Sequence, residues 1–339
     1  MKIDFPEALT SFFTRYLELQ KGLSPNTISS YSDAFLLLFK YYGEAYGLVP
    51  DKITFQDISQ KSIIGFCDWL ETNRKSSAKT RNLRLTAMHA FFRYVEMHDP
   101  SKLALCKSIL NIPMKKCSKK PPVHLSEEEL KLLFAEPDVK KKGGIRDLAI
   151  MTLLYDTGTR VSELTELRIE DIRLDKRTAT VRILGKGRKQ RLVPISEATS
   201  DIVKVYYKSN KIDTSNQKQP LFANSQGKPL TRPGINYILD KYTQRARQHN
   251  PEKFNINVTA HVLRHSKATI MLLSDINLVY IRDFLGHASV VTTEIYAKTN
   301  PEFLRRAIEK NAQNYREIFD GYDQDEKDTL TDFLKAFRK

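Results

Sequence analysis

Gly158-Thr159-Arg160-Val161-Ser162-Glu163 closes an apolar-rich run, Ile145 to Tyr155, that carries Leu148, Ala149, Met151, Leu153 and Leu154. Such a run predicts a helix buried on most sides and stopped at Thr157-Gly158, because glycine takes the left-handed conformation that ends helices. Downstream the periodicity changes. Thr178 to Leu184 and Arg191 to Ile195 are short β-rich runs around a Gly-Lys-Gly-Arg-Lys-Gln connection, which predicts a β-hairpin with Lys186 near its tip. Helical patterns resume beyond it and carry two further islands, His261-Val262-Leu263-Arg264-His265 and Leu285-Gly286-His287, with Tyr296 after Thr292-Thr293-Glu294-Ile295.

These islands bring together two arginines, a lysine, histidines and a tyrosine, which suffice to break a phosphodiester covalently without a metal. Cleavage concentrates negative charge on the non-bridging oxygens, and arginine answers it with a planar, permanently charged fork. Arg160 and Arg264 fit that role, although Arg160 also reads as one half of a helical ion pair with Glu163. His261 and Arg264 share a helix face and can address one phosphate, while H-x-x-R alone also reads as a capped helix start. Lys186, between Gly185 and Gly187, can deliver a proton to a departing 5′ oxygen or be a solvated turn lysine; the segment lacks P-loop spacing. Arg188, Lys189 and Arg191 suit contacts to backbone phosphates. Tyrosine is a competent nucleophile among cations, but Tyr296 is one of 15 tyrosines.

Upstream, residues 5–111 read as consecutive helices. Ser24-Pro25 marks one start, with Ile28, Tyr31, Phe35, Leu38 and Phe39 on a buried side; Ile64, Cys67 and Leu70 form a second stripe, and Leu83, Ala87, Phe91 and Tyr94 a third. That third helix, Thr80 to Met97, presents Lys79, Arg81 and Arg84 and is a candidate groove-facing element or a solvated basic face. The pattern stops between Ile112 and Leu125, where Pro113, Lys115, Lys116, Lys119, Lys120, Pro121 and Pro122 stand without an acid. This is the expected domain boundary, a stiff basic linker able to cross a DNA backbone or simply to stay solvated. Ser126 with Glu127 to Glu129 then opens the second domain as a capped helix.

The 339 residues suggest two domains, and 55 Lys+Arg against 40 Asp+Glu leave a formal charge of +15, which favours a polyanionic partner. No apolar run is long enough to span a bilayer, and the first residues do not form a signal peptide, so the expectation is a cytoplasmic protein with no membrane association. Cys67, Cys106 and Cys117 form no C-x-x-C pair, and the histidines sit among arginines, so neither disulfides, a metal nor a cofactor is expected.

Taken jointly, the islands resemble the tyrosine recombinase (phage-integrase-type) family, in particular its Xer-like two-domain members, over nearly the whole chain. The resemblance implies a mainly α fold with a small β-sheet: an all-α, SAM-like core-binding domain over residues 1–112, with Leu23-Ser24-Pro25-Asn26-Thr27 near its start, a linker over 113–124, a mixed α+β catalytic domain over 125–319, and a tail over 320–339 that docks on a neighbouring subunit through Phe333, Leu334 and Phe337. It implies that Arg160 and Arg264 clamp the scissile phosphate, that His261 and His287 hydrogen-bond it and assist proton transfer, that Lys186 is the general acid and Tyr296 the nucleophile, with Glu163 orienting Arg160 and His265 in support. The expected partner is double-stranded DNA, bound by a homotetramer on two sites, with a monomer or dimer off DNA and an accessory regulator. The implied reaction is site-specific recombination through a 3′-phosphotyrosyl intermediate and a Holliday junction, in chromosome-dimer resolution or mobile-element integration and excision. Type IB topoisomerase-like relaxation and a noncatalytic DNA-binding regulator on the same fold are the alternatives. No arm-binding domain is expected before Phe5.

Overall fold

The computed structural model describes residues 4–117, 122–175, 178–185, 189–224, 226–287, 289–290, 292–294 and 305. The chain divides into two compact units, Met1–Lys119 and Lys120–Lys339.

The first unit is helical among its described residues. Helix α1 (Phe5–Ser11) starts on the Asp4 side chain and runs on as a π-helical stretch, Phe12–Gln20. Helix α2 (Pro25–Tyr46) has Ser24 as its cap and proline in its first turn, and stops at Gly47 in the left-handed conformation. Helices α3 (Gln60–Thr72) and α4 (Ala78–His98) are capped by Ser59 and Ser77, and α5 (Leu103–Leu110) closes the unit. Their apolar faces meet around Phe91, whose ring receives Phe5, Phe12 and Phe35 edge-on at centroid distances of 5.4 to 5.5 Å.

Two of the predicted stripes are buried except for one residue each: Cys67 and Leu70 on α3 and Ala87, Phe91 and Tyr94 on α4 are interior. Ile64 and Leu83 are 38% and 50% exposed. On α4 the buried row is Arg81, Leu85, Met88, Phe92 and Val95, flanked by Ala87, Phe91 and Tyr94, and Leu83 lies on the opposite side from Arg81 and Leu85. Arg81 is therefore an interior residue: Nη1 donates to the Pro113 carbonyl at 3.1 Å. Asn82 donates to the Lys115 carbonyl at 2.8 Å and accepts from the Lys115 amide at 3.0 Å, while Lys115 Nζ pairs with Glu71. The first residues of the basic segment are thus fastened to α3 and α4.

In the second unit, Ser126 and Glu129 form a reciprocal capping box at the start of α6 (Glu127–Ala135). Helix α7 (Lys142–Thr157) is buried along most of its length, packing on α6, α9 (Glu197–Asn210) and α11 (Ala260–Leu273). After the short α8 (Val161–Glu166) come three antiparallel strands in sequential order: β1 (Ile172–Arg173), β2 (Thr180–Leu184) and β3 (Gln190–Pro194). Val181 pairs with Val193 and Ile183 with Arg191. Val181, Ile183 and Val193 face the core, while Arg182, Leu184 and Leu192 face outward, the alternation expected of a half-buried sheet. Strand β1, only two residues long, has no alternation to read in the sequence. Helices α10 (Arg232–His249) and α12 (Leu278–Leu285) are the remaining α-helices of the unit among the described residues. Among the described residues no helix is long and apolar enough to cross a membrane.

Candidate active site

Helix α7 ends at Gly158, which has φ +56°. The next turn places Arg160 at the N-cap of α8 with extended backbone. Glu163 in the first turn of α8 reaches back: Oε2 accepts the Arg160 amide at 3.0 Å and Oε1 accepts Arg160 Nη1 at 2.7 Å. One carboxylate thus fixes both the backbone and the guanidinium of Arg160. Glu163 is only 6% exposed. Burial pushes its carboxyl upward, but the donors of Arg191 and Arg160 outweigh that and hold it below the usual range.

Helix α11 begins at its Thr259 cap and carries His261, Arg264 and His265. Arg264 is 3% exposed. Nη1 donates to the Gly158 carbonyl at 2.5 Å and Nη2 to the Leu285 carbonyl at 2.8 Å. A single planar fork therefore ties the turn before Arg160 to the turn before His287. His261 is at the surface, and burial of its ring with the nearby charges of Arg264 and Arg160 lowers its pKa. His265 is pushed down to about 4 by burial and then by His261, Arg264 and His124, and its ring meets that of His261 at 6.1 Å.

Helix α12 stops at Gly286, φ +67°, and the His287 amide bonds back to the Arg282 carbonyl at 3.0 Å. His287 Nδ1 is 2.9 Å from the hydroxyl of the buried Thr293, and among the described residues Nε2 has no hydrogen-bond partner. Burial, then Arg264 and Arg160, lower the His287 pKa to about 4. At neutral pH the imidazole is uncharged and able to accept a proton.

The two glycines hold the left-handed φ that other residues disfavour, and a side chain at either would displace a neighbour. A β-carbon on Gly158 would stand 2.7 Å from Leu285 Cδ2, and one on Gly286 would stand 2.8 Å from Arg191 Nη1. Arg191 belongs to this site. Its side chain is 12% exposed, Nη2 pairs with Glu163 Oε2 at 2.7 Å, and Nε donates to the Phe284 carbonyl at 3.1 Å. This corrects the expectation of a backbone-phosphate contact, because the guanidinium is turned inward to Glu163 and the Phe284 carbonyl and so joins the site instead of the outer face of the hairpin. Lys267, one turn beyond Arg264, pairs with Asp156 at 2.8 Å, and Asp156 Oδ2 accepts the Ser196 amide at 2.6 Å, tying α11 to α7 and the start of α9.

Hydrogen bonds thus join Arg160 to Glu163, and Arg264 to the turns just before Arg160 and His287, with His261 and His265 on the helix of Arg264. Lys186, Arg188, Lys119, Lys120, Tyr296 and the tail with Phe333, Leu334 and Phe337 lie outside the described residues. Of the other basic residues proposed to meet DNA, Lys79, Lys116 and Lys189 are exposed, and Lys115 is exposed but paired with Glu71. Arg81 is interior. Arg84 donates to the Ser30 carbonyl at 2.8 Å and faces Asp33 at 3.8 Å, so both arginines stabilise the helical packing instead of presenting a free charge. Sequence reading missed Thr293 and Asp156, whose side chains become informative only once α12 and α11 bring His287 and Lys267 to them.

Arg160 has a side chain 35% exposed, and His261 is also at the surface, so the site is a charged face open to a long substrate. A mixed-charge cleft of about 670 Å³ lies on another side of Glu163, lined by Arg168, Asp171 and Arg182, and none of Arg160, His261, Arg264 or His287 lines it.

Residues 123–302 match the phage integrase family, and residues 11–97 match the N-terminal SAM-like domain of phage integrases. The chain belongs to the phage integrase family of tyrosine recombinases. Curated members of this integrase family similar to it include a putative integrase/recombinase of Sinorhizobium fredii, 34% identical with 90% of each chain covered. The tyrosine recombinase XerD of Staphylococcus epidermidis is 31% identical over 87% of this chain and 95% of its own length. The integrase-family fold is also that of the XerH site-specific recombinase bound to its palindromic difH substrate in a post-cleavage complex: TM-score 0.64, 25% identity, covering 83% of this chain and 78% of that one. A lambda integrase dimer bound to a core site shares the fold at TM-score 0.64 and 18% identity, over 88% of this chain and 78% of that chain. This integrase-family protein is a site-specific tyrosine recombinase, mostly helical with a small three-stranded sheet.

Proposed function

We propose that the site cleaves one strand of double-stranded DNA with Tyr296 as nucleophile. The observation that carries this reading is the double donation of Arg264 to the Gly158 and Leu285 carbonyls, which holds the Arg160 and His287 turns around one guanidinium. Two guanidinium groups beside a neutral imidazole suit a phosphodiester, whose cleavage adds charge to the non-bridging oxygens while a proton must be moved.

In this reading Arg160 and Arg264 hold the non-bridging oxygens. His261 and His287, both uncharged at neutral pH, hydrogen-bond the phosphate, and one of them accepts the phenolic proton of Tyr296. The phenolic oxygen attacks phosphorus, the bond to the 5′ oxygen breaks, and Lys186 supplies the proton that makes it a hydroxyl. The product is a 3′-phosphotyrosyl ester that conserves the bond energy, so a 5′ hydroxyl from a partner duplex can reverse the step without ATP. Glu163 orients Arg160, and His265 packs beside His261. Two rounds pass through a Holliday junction within a homotetramer on two sites, under an accessory regulator. Exposed Lys79, Lys116 and Lys189, with Lys119, Lys120 and Arg188, supply contacts to the DNA backbone. Residues 1–112 bind the core site, 113–124 form the linker, and 125–319 carry out the chemistry, in the cytoplasm where the DNA lies.

The test is to incubate the protein with sheared DNA of the source organism, quench with detergent and sequence fragments that stay covalently attached. Recovery of a recurrent sequence supports the reading. DNA bound but never attached, with candidate accessory proteins added, refutes it in favour of a noncatalytic DNA-binding regulator. A plasmid carrying two copies of the recovered sequence then separates recombinant circles from mere relaxation by a type IB topoisomerase-like reaction.

A further inference from the structure

We propose that Arg191 is a positioning residue for strand cleavage, an inference that rests on the reading above. Arg191 lies on β3, paired in register with Ile183 of β2, beyond the connection that carries Lys186. Its guanidinium makes two kinds of bond, and each reaches a different part of the site. Toward α8, Nη2 and Nη1 meet the two oxygens of Glu163 at 2.7 and 3.4 Å. Glu163 in turn holds the amide and the guanidinium of Arg160. Toward α12, Nε donates to the Phe284 carbonyl, and the adjoining Leu285 carbonyl is the one that receives Arg264 Nη2.

The backbone of Gly286 comes close to the same guanidinium, since any β-carbon there would stand 2.8 Å from Nη1 and 3.2 Å from Cζ. The root of the hairpin touches it too: a β-carbon at Gly185 would lie 3.5 Å from Nη1, and the Gly185 amide bonds to the Lys189 carbonyl at 2.8 Å. One side chain therefore registers the acid that aims Arg160, the turn that receives Arg264 and presents His287, and the base of the lysine-bearing hairpin. An ordinary structural ion pair joins two elements; this one sits where the reactive groups diverge.

Only arginine fits all three roles. Its planar fork can donate to a carboxylate and a carbonyl in different directions, whereas a lysine ammonium on a flexible stem can pair with Glu163 without also holding Phe284. Without either cation, Glu163 keeps Arg160 as its one charged partner among the described residues, and the turn at 284–286 loses its brace. Small displacements of groups that contact the scissile phosphate are amplified in rate, on the order of 100-fold for about 1 Å.

The experiment compares wild type, Arg191→Gln, Arg191→Lys and, as a control for loss of a part-buried ion pair elsewhere in the unit, Arg146→Gln, whose guanidinium pairs with Asp147 at 2.8 Å. The probe is sheared DNA of the source organism, titrated to saturation well below each variant's melting temperature. Detergent-stable adduct formation and noncovalent retention of DNA are both recorded. The expected result is a saturating adduct rate lowered on the order of 100-fold in Arg191→Gln, with half-saturation unchanged. Arg191→Lys should recover part of that loss, and Arg146→Gln should hold the wild-type rate. Wild-type rates in Arg191→Gln would overturn this inference alone, as would a loss that appears wholly as weaker DNA retention or one matched by Arg146→Gln. Absence of adducts in wild type would instead remove the cleavage reading and this inference with it.

Discussion

Arg264 Nη1 donates to the carbonyl of Gly158 at 2.5 Å, so the residue that ends α7 is also the rest on which a buried guanidinium of α11 is set. Gly158→Ala is expected to damage both functions. The left-handed φ disfavours any side chain, and the new methyl would overlap Leu285, so the unit should lose about 2 to 4 kcal/mol. Denaturant unfolding of the variant checks this, and a change below about 0.5 kcal/mol would show that the turn relaxes freely.

Thr293 holds Nδ1 of His287 at 2.9 Å inside a fully buried position. Thr293→Val keeps the shape and removes the hydroxyl, so the ring loses its orienting partner while the fold persists. The saturating cleavage rate should fall about tenfold, the equivalent of one hydrogen bond. Thr293→Ser should restore it, and an equal loss in both variants would show that packing, not the hydroxyl, matters.

His265 and His287 are both shifted from 6.5 down to about 4. The folded state thus resists a proton that the unfolded chain accepts, so the sign is destabilisation in acid. Stability is unaffected by these groups above about pH 6.5, declines as pH falls from there toward about 4, and levels off below it. Replacing both by glutamine should flatten that decline in melting temperature against pH. A bound phosphate favours the imidazolium of His287, so DNA binding near pH 6 should take up protons. Calorimetry in buffers of different ionisation enthalpy measures that uptake, and none would argue against phosphate beside His287.

The basic residues of the first unit divide by what they already hold. Arg81 is 4% exposed and donates to the Pro113 carbonyl. Arg81→Ala should lower the stability of that unit by about 2 kcal/mol through lost packing and a lost charged hydrogen bond. Lys79 and Lys116 are exposed, and replacing both by alanine should leave stability unchanged while reducing the slope of log affinity against log salt by about 2. An unchanged slope would remove these lysines from the interface.

What the sequence revealed depended on whether the cause was local. Gly158 ends its helix by its own conformational freedom, and the cap at Ser126 is written within one turn, so these were legible as letters, whereas Gly286 stood in its island without reading as a helix stop. The hairpin showed in the two β-rich runs, Thr178 to Leu184 and Arg191 to Ile195, flanking a glycine-rich connection, and the strands form at Thr180–Leu184 and Gln190–Pro194. Arg191 was misread because a basic residue after Gly-Lys-Gly-Arg-Lys looks like one more phosphate contact, and only the approach of Glu163 and of the α12 end to its guanidinium shows that it faces inward. Arg81 was misread for the same reason: a cation at helical spacing among Lys79 and Arg84 looks solvated until the chain at Pro113 folds back over it. Charge content is a sequence property, whereas the partner of each charge is a tertiary one.

The central claim is tested most directly by locating the covalent bond. Detergent-trapped adducts, trimmed with nuclease and digested with protease, are analysed by mass spectrometry for a tyrosine peptide carrying a 3′-linked nucleotide. The account predicts the modification on Tyr296, and its disappearance in Tyr296→Phe while DNA binding is retained. A nucleotide on another tyrosine, or adducts formed equally by Tyr296→Phe, would contradict it.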